Sequence, residues 1–157
     1  MTHKSADNTG NGPRVALFAG SFNPFTVGHD SIVRRGLGLF DKIIIGVGHN
    51  HAKSDDEDVA ARVNAIRKIY EGIDAVEVRP YSCLTVDFAR ECGAGYLLRG
   101  MRSVKDFEYE RYMADLNRRL TGIETVILFT LPEHAAISSS IVRELESYGH
   151  DVNSFLP

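Results

Sequence analysis

Cysteine is scarce in this chain. Cys83 and Cys92 are its two thiols, spaced neither as a CxxC pair nor as a disulfide framework, which excludes a small stapled fold and points to a reducing compartment, most simply the cytoplasm. No apolar run approaches the roughly 20 residues that a membrane-spanning helix needs, and the opening MTHKSADNTGNGPR lacks the apolar centre of a signal peptide. An excess of one charge is missing too. With a formal net charge of -3 the surface has no general attraction for nucleic acid, so an anion site must be local. Two nucleotide-binding signatures are also absent: there is no GxxxxGK[ST], and Gly46-Val47-Gly48 lacks the third glycine of GxGxxG.

What is present is one domain's worth of chain, 157 residues with 43% hydrophobic and 25% charged residues, enough for a single continuous core. The polar residues 1–13 read as a flexible leader and 14–157 as a single domain. Short apolar or β-branched runs over Arg14 to Ala19, Lys42 to Val47, Ala75 to Arg79, Gly95 to Leu98 and Glu124 to Phe129 predict five strands. Between and after them, Val59-Val63-Ile66-Tyr70, Tyr109-Met113-Leu116-Leu120 and Ile141-Leu145-Tyr148 have helical spacing. The runs KIIIGV and TVILF are apolar on both faces, as expected of strands covered by helices on two sides. The pattern predicts an α/β fold, a Rossmann-like, doubly wound, five-stranded parallel sheet. Ligands of such sheets bind beyond the carboxyl ends of the strands, where strand order reverses.

The loops at those ends hold the candidate chemistry. Ala19-Gly20-Ser21-Phe22-Asn23-Pro24-Phe25-Thr26-Val27-Gly28-His29 follows the first strand, Arg99-Gly100-Met101-Arg102 the fourth, and Ile137-Ser138-Ser139-Ser140 opens the last helix. Helix-start N–H groups, hydroxyls and two guanidiniums on one sheet edge suit a polyphosphate. Each element also has an ordinary reading: His29 as a solvated helix-start histidine, the serines as an N-cap, the arginines and Lys53 as solvated surface cations. His49-Asn50-His51 supplies too few ligands for a zinc site, so no protein-held metal is expected.

Thr26-Val27-Gly28-His29 and Ser138-Ser139-Ser140 match the two signatures of the nucleotidyltransferase superfamily. Together with Gly20-Ser21-Phe22-Asn23-Pro24, Arg99-Gly100-Met101-Arg102, Asp106-Phe107-Glu108-Tyr109-Glu110, Asn117-Arg118 and the closing Phe155-Leu156-Pro157, the chain from Arg14 onward resembles the bacterial phosphopantetheine adenylyltransferases. The resemblance implies a nucleotidyltransferase fold and transfer of AMP from ATP to 4'-phosphopantetheine, giving dephospho-coenzyme A and pyrophosphate. It also implies Mg2+ carried on the ATP phosphates and water, a homohexamer, and no nucleic-acid or membrane partner.

By the same resemblance His29, Lys53 and Arg102 are catalytic. Ser21, Phe22, Gly100, Met101, Arg102 and Glu110 bind ATP with His29, as does the segment His134, Ala135, Ala136, Ile137, Ser138, Ser139 and Ser140. Ser21, Lys53, Thr85 and Arg99 serve the acceptor. The same signature occurs in nicotinate mononucleotide adenylyltransferases and cytidylyltransferases, and a regulatory module that binds nucleotide without turnover would share it as well. The Arg99-to-Glu110 pattern separates this chain from the first two. Retention of His29, Lys53, Arg99 and Arg102 separates it from the third.

Overall fold

Five parallel strands form one sheet in the computed structural model, which describes residues 12–49 and 56–157. Val15–Gly20 (β1), Lys42–Gly48 (β2), Val76–Tyr81 (β3), Tyr96–Met101 (β4) and Glu124–Phe129 (β5) lie in the order β3-β2-β1-β4-β5. Helices Val27–Gly36 (α1), Asp56–Ile69 (α2), Thr85–Glu91 (α3) and Val104–Thr121 (α4) connect them in turn, and Ser139–Ser147 (α5) follows β5. Residues 1–11 of the expected leader, and Asn50, His51 and Lys53 after β2, lie outside the described residues.

Consecutive apolar residues in β1 and β2 follow from burial on both faces. Ala16, Phe18, Ile43, Ile45 and Leu98 share a cluster with Ile32 and Val33 of α1 and Val59, Val63 and Ile66 of α2. Leu17, Ala19, Ile44 and Leu97 point the other way, into a cluster with Val86, Phe88 and Ala89 of α3. Ala16 lies opposite Ile43 on one side and Tyr96 on the other. Strand order therefore reverses between β1 and β4. The crossovers leave Gly20 and Met101 in opposite directions, and this divergence opens the crevice that holds the site.

Four expectations are corrected. Strand β4 runs past Leu98 to Met101, because Arg99, Gly100 and Met101 pair with Ile127, Leu128 and Phe129; Arg99 is thus a strand residue and not part of a turn. Strand β5 is an edge, so its apolar run is only half-buried. The stripe on α4 is not core: Tyr109 and Leu120 are 61% and 60% exposed, and Glu110 is the one buried residue of that helix. On α5 the buried residue is Val142, while Ile141 and Tyr148 face outward. Helical spacing shows which residues share a face, but only packing decides which face is covered. Helix α3, with 7 residues, is too short to show two turns of period. No helix among the described residues is long and apolar enough to cross a membrane.

Candidate active site

Thr26 is the N-cap of α1, with an extended backbone at φ -106° and ψ 169°. Its hydroxyl accepts the His29 N–H at 3.4 Å, and its own N–H donates to His29 Nδ1 at 3.0 Å. The pair is a capping box in which a histidine takes the position usually held by Glu or Gln. The spacing in TVGH is thus that of a helix's first turn. A backbone N–H only donates, so the ring nitrogen facing it is unprotonated, and the neutral imidazole carries its proton on Nε2.

Phe22 and Phe25 enclose that ring at centroid distances of 5.0 and 5.3 Å. Burial among these rings, and then the charges of Arg102 and Arg99, push the His29 pKa down from 6.5 to about 4. At neutral pH the side chain is an uncharged N–H donor. A stability effect follows. Above pH 6.5 the folded and unfolded chains both hold His29 neutral and its contribution is complete; between 6.5 and about 4 only the unfolded chain takes up the proton, so stability is lost as pH falls. The loss should approach about 2–3 kcal/mol. Urea unfolding at pH 7.5 and pH 4.5 should show this slope in the parent chain and lose that component in His29→Asn; equal slopes would refute it.

The adjacent Asp30 accepts from Arg34 Nε at 2.8 Å and from the Tyr70 hydroxyl at 2.7 Å, which ties the start of α1 to the end of α2. The loop from β1 to α1 is itself held through its carbonyls. Arg99 donates to Ala19 at 2.9 Å, Arg62 to Ser21, Arg143 to Asn23, and Ser139 Oγ to Pro24 at 2.8 Å. Within this loop the left-handed residue is Phe22, at φ 47°, and neither Gly20 nor Gly28 has a positive φ. At Gly28 a Cβ would meet only ordinary contacts, no closer than 3.5 Å to Thr26, His134 or Ile137, so the packed chain itself does not require a glycine there.

Across the crevice, Ser138 caps α5 by accepting the Ile141 N–H at 3.2 Å, Ser139 reaches Pro24, and Ser140 accepts from Arg143. The serines are therefore cap and anchor at once, and the first N–H groups of α5 remain available to an anion.

Two cavities meet here. The smaller, about 300 Å³, contains His29, Ser21, Phe22, Gly100 and Arg102 with Ile137 through Ser140. The larger, about 470 Å³, runs past Thr85, Tyr81, Glu110 and the inner side of α4. Ala19, Gly20, Ser21 and Arg99 belong to both. Arg99 grips Glu110 through Nε at 3.0 Å and Nη2 at 2.8 Å. Burial works against its charge, but the bonds and charge of Glu110 outweigh that and raise its pKa.

The structure brings together most of the expected residues, divided between the two chambers. Met101, Ala135 and Ala136 line neither cavity, and His134 sits on a turn over Pro132–His134 behind Gly28. Glu110 lines the larger cavity and not the smaller. Sequence reasoning missed Arg62 and Arg143. Both sit on helices where, with Asp58 four residues before Arg62 and Ser140 three before Arg143, they read as ordinary surface pairs. Among the described residues no cluster of three or more His, Cys, Asp or Glu side chains could hold a metal ion.

Comparison with known proteins adds to this geometry. The cytidylyltransferase-like family model matches residues 17–145. A phosphopantetheine adenylyltransferase of Porphyromonas gingivalis is 52% identical over 143 residues, covering 91% of this chain and 94% of the relative. One from Bacteroides fragilis is 49% identical over 144 residues, with 92% and 96% covered. Among solved structures, a bifunctional NMN adenylyltransferase/ADP ribose pyrophosphatase of Francisella tularensis, complexed with AMP and manganese, superposes at a TM-score of 0.66. It is 13% identical, with 92% of this chain and 44% of that chain covered, so this likeness concerns the fold alone.

Proposed function

The chain belongs to the cytidylyltransferase-like family and, within it, to the phosphopantetheine adenylyltransferases, and from that premise we propose that it transfers the adenylyl group of MgATP to 4'-phosphopantetheine, releasing dephospho-coenzyme A and pyrophosphate. The single observation that carries the acceptor is the 49% to 52% identity, over nine-tenths of the chain, to enzymes of that name. The fold by itself is shared with adenylyltransferases of other acceptors.

In this reading the smaller cavity takes the ATP phosphates and the larger the pantetheine arm, with the acceptor phosphate meeting the α-phosphorus beside Arg99. His29, held neutral, aims its Nε2–H at the α-phosphate. The start of α5 and the Arg102 guanidinium face the same charge. Arg99, with Lys53 assigned to it by resemblance, receives the acceptor phosphate, and Thr85 borders the arm. Magnesium enters as part of the nucleotide substrate, bound to phosphate oxygens and water. The exposed stripe of α4 is the surface we assign to subunit contacts of a homohexamer, and the cytoplasm is the compartment in which these substrates meet.

The reaction is a single in-line displacement. An oxygen of the acceptor phosphate, already anionic at neutral pH, forms a bond to the α-phosphorus of ATP while the bond to the β-phosphate oxygen breaks, and pyrophosphate leaves with the metal. No strong general base is required, so alignment and electrostatics carry the rate. With a chiral α-phosphate the product should show inversion. Retention, or an adenylylated enzyme formed from ATP alone, would refute the path. Pyrophosphate release with nicotinate mononucleotide but not with phosphopantetheine would refute the acceptor.

A further inference from the structure

We propose that Tyr81 is a further specificity-determining residue for the acceptor: with Thr85 it forms a pair of hydroxyls in the wall of the larger cavity that hydrogen-bonds an amide of the pantetheine arm. The inference rests on the reading of that cavity as the acceptor chamber. It goes beyond the place beside the arm that resemblance gives Thr85, since it concerns the two side-chain hydroxyls acting together.

Three observations carry it. First, both residues line the larger cavity and neither lines the smaller, and their hydroxyl oxygens lie 3.0 Å apart. Two hydroxyls have two protons between them, and the bond that joins them uses one. The pair keeps a second O–H and spare lone pairs, so it can offer a donor and an acceptor side by side. An amide needs both, and the arm of 4'-phosphopantetheine carries amides.

Second, the Tyr81 ring is held in place by the chain itself. It lies flat on Phe88 of α3, with centroids 4.7 Å apart and planes 3° from parallel. A Cβ at Gly46 would stand 3.2 Å from the Tyr81 ring, 3.1 Å from Phe88 and 3.0 Å from Leu17, so any side chain there would press on the stack. Gly46, from a run that fits no nucleotide motif, thus makes room for this ring. Third, Thr85 is the first residue of α3, one place past Leu84 at the N-cap, the position from which a hydroxyl would cap the helix. Its hydroxyl bonds to Tyr81 instead. The stack on Phe88 already ties the end of β3 to α3, and a phenylalanine would make it equally well. The hydroxyls are the addition that packing does not account for, in a cavity lined also by Leu17, Leu97, Leu116 and Leu120. A few placed polar groups among apolar walls are what fix a ligand's orientation.

Tyr81→Phe keeps the stack and removes one hydroxyl, while Thr85→Val keeps the shape and removes the other. Each should raise the KM for 4'-phosphopantetheine about five- to tenfold, the scale of one hydrogen bond, and leave the KM for ATP within about twofold. In the double variant the rise should be little larger than in either single one, because the hydroxyls act as a unit. Thr85→Ser, which keeps a hydroxyl, should fall between Thr85→Val and the parent. Acceptor analogues with one or the other amide replaced by an ester give a readout that a merely structural tie would not move. The parent should prefer phosphopantetheine over one of these esters by about tenfold in kcat/KM, and Tyr81→Phe should bring that ratio near one. Unchanged acceptor KM in folded variants, equal rises in both KM values, or an ester preference that is the same in variant and parent would each overturn the inference alone. A parent chain that forms no dephospho-coenzyme A overturns the acceptor reading, and the inference falls with it.

Discussion

Replacing His29 by alanine should lower turnover by about 10²–10³-fold while ATP binding changes little. The ring is a neutral donor because Thr26 N–H occupies Nδ1 and because burial, with the charges of Arg102 and Arg99, holds its pKa near 4. In the proposed reading the ground-state triphosphate already has its metal, Arg102 and a helix start around it, so a neutral donor gains little there. Its contribution grows as charge accumulates on the α-phosphate oxygens during the displacement. Losing a donor aimed at that charge therefore affects kcat more than affinity. Steady-state kinetics of the purified variant, with ATP binding followed by calorimetry, separate the two quantities. Near-normal kcat, or a loss confined to ATP affinity, would remove His29 from the transition state. Thr26→Ala should show a smaller loss of the same kind, since it removes the hydroxyl of the capping box but leaves the backbone bond to Nδ1.

Arg99→Ala should cost twice over. Acceptor affinity should fall about 100-fold, the scale for truncating one member of a hydrogen-bonded charge pair, while ATP affinity changes far less. Folding stability should also fall by about 3 kcal/mol, because the Glu110 carboxylate, with its side chain 8% exposed, is left without its partner. That figure sits at the low end for a broken buried pair, since the guanidinium itself is 35% exposed. The two losses come apart in the double variant Arg99→Ala/Glu110→Gln. Neutralising the stranded carboxylate should restore most of the stability and none of the acceptor affinity. Denaturant unfolding and separate substrate titrations measure both. Equal weakening of ATP and acceptor, or a single variant as stable as the parent, would contradict the assignment of Arg99 to the wall between the chambers.

How much of the site could be read in advance depended on how far apart its partners lie along the chain. Thr26 and His29 are three residues apart, and the bonds between them belong to one turn of helix, so their spacing is visible in the sequence as TVGH. The cap that Ser138 places on Ile141 is equally local. Arg99 and Glu110 were each legible as candidates but not as a pair, for they come from different elements, β4 and α4. Arg62 and Arg143 were not legible at all. Their carbonyl partners Ser21 and Asn23 lie 41 and 120 residues away, and an arginine four residues from an aspartate looks like any solvated helix pair.

By itself the sequence determined the alternation of strand and helix, the parallel sheet that alternation requires, and the three-residue spacing that lets Thr26 and His29 meet within one helical turn. Each depends on spacing within one element or on the rule that parallel strands need crossovers. Tertiary structure alone decided that β4 carries Arg99 into the wall between two cavities, and that α4 hides Glu110 and exposes its apolar stripe. It also decided that arginines from α2 and α5 converge on the loop after β1. Side chains distant in the chain meet only after the sheet has ordered its strands, and the energy of a buried contact depends on what packs around it rather than on any local pattern.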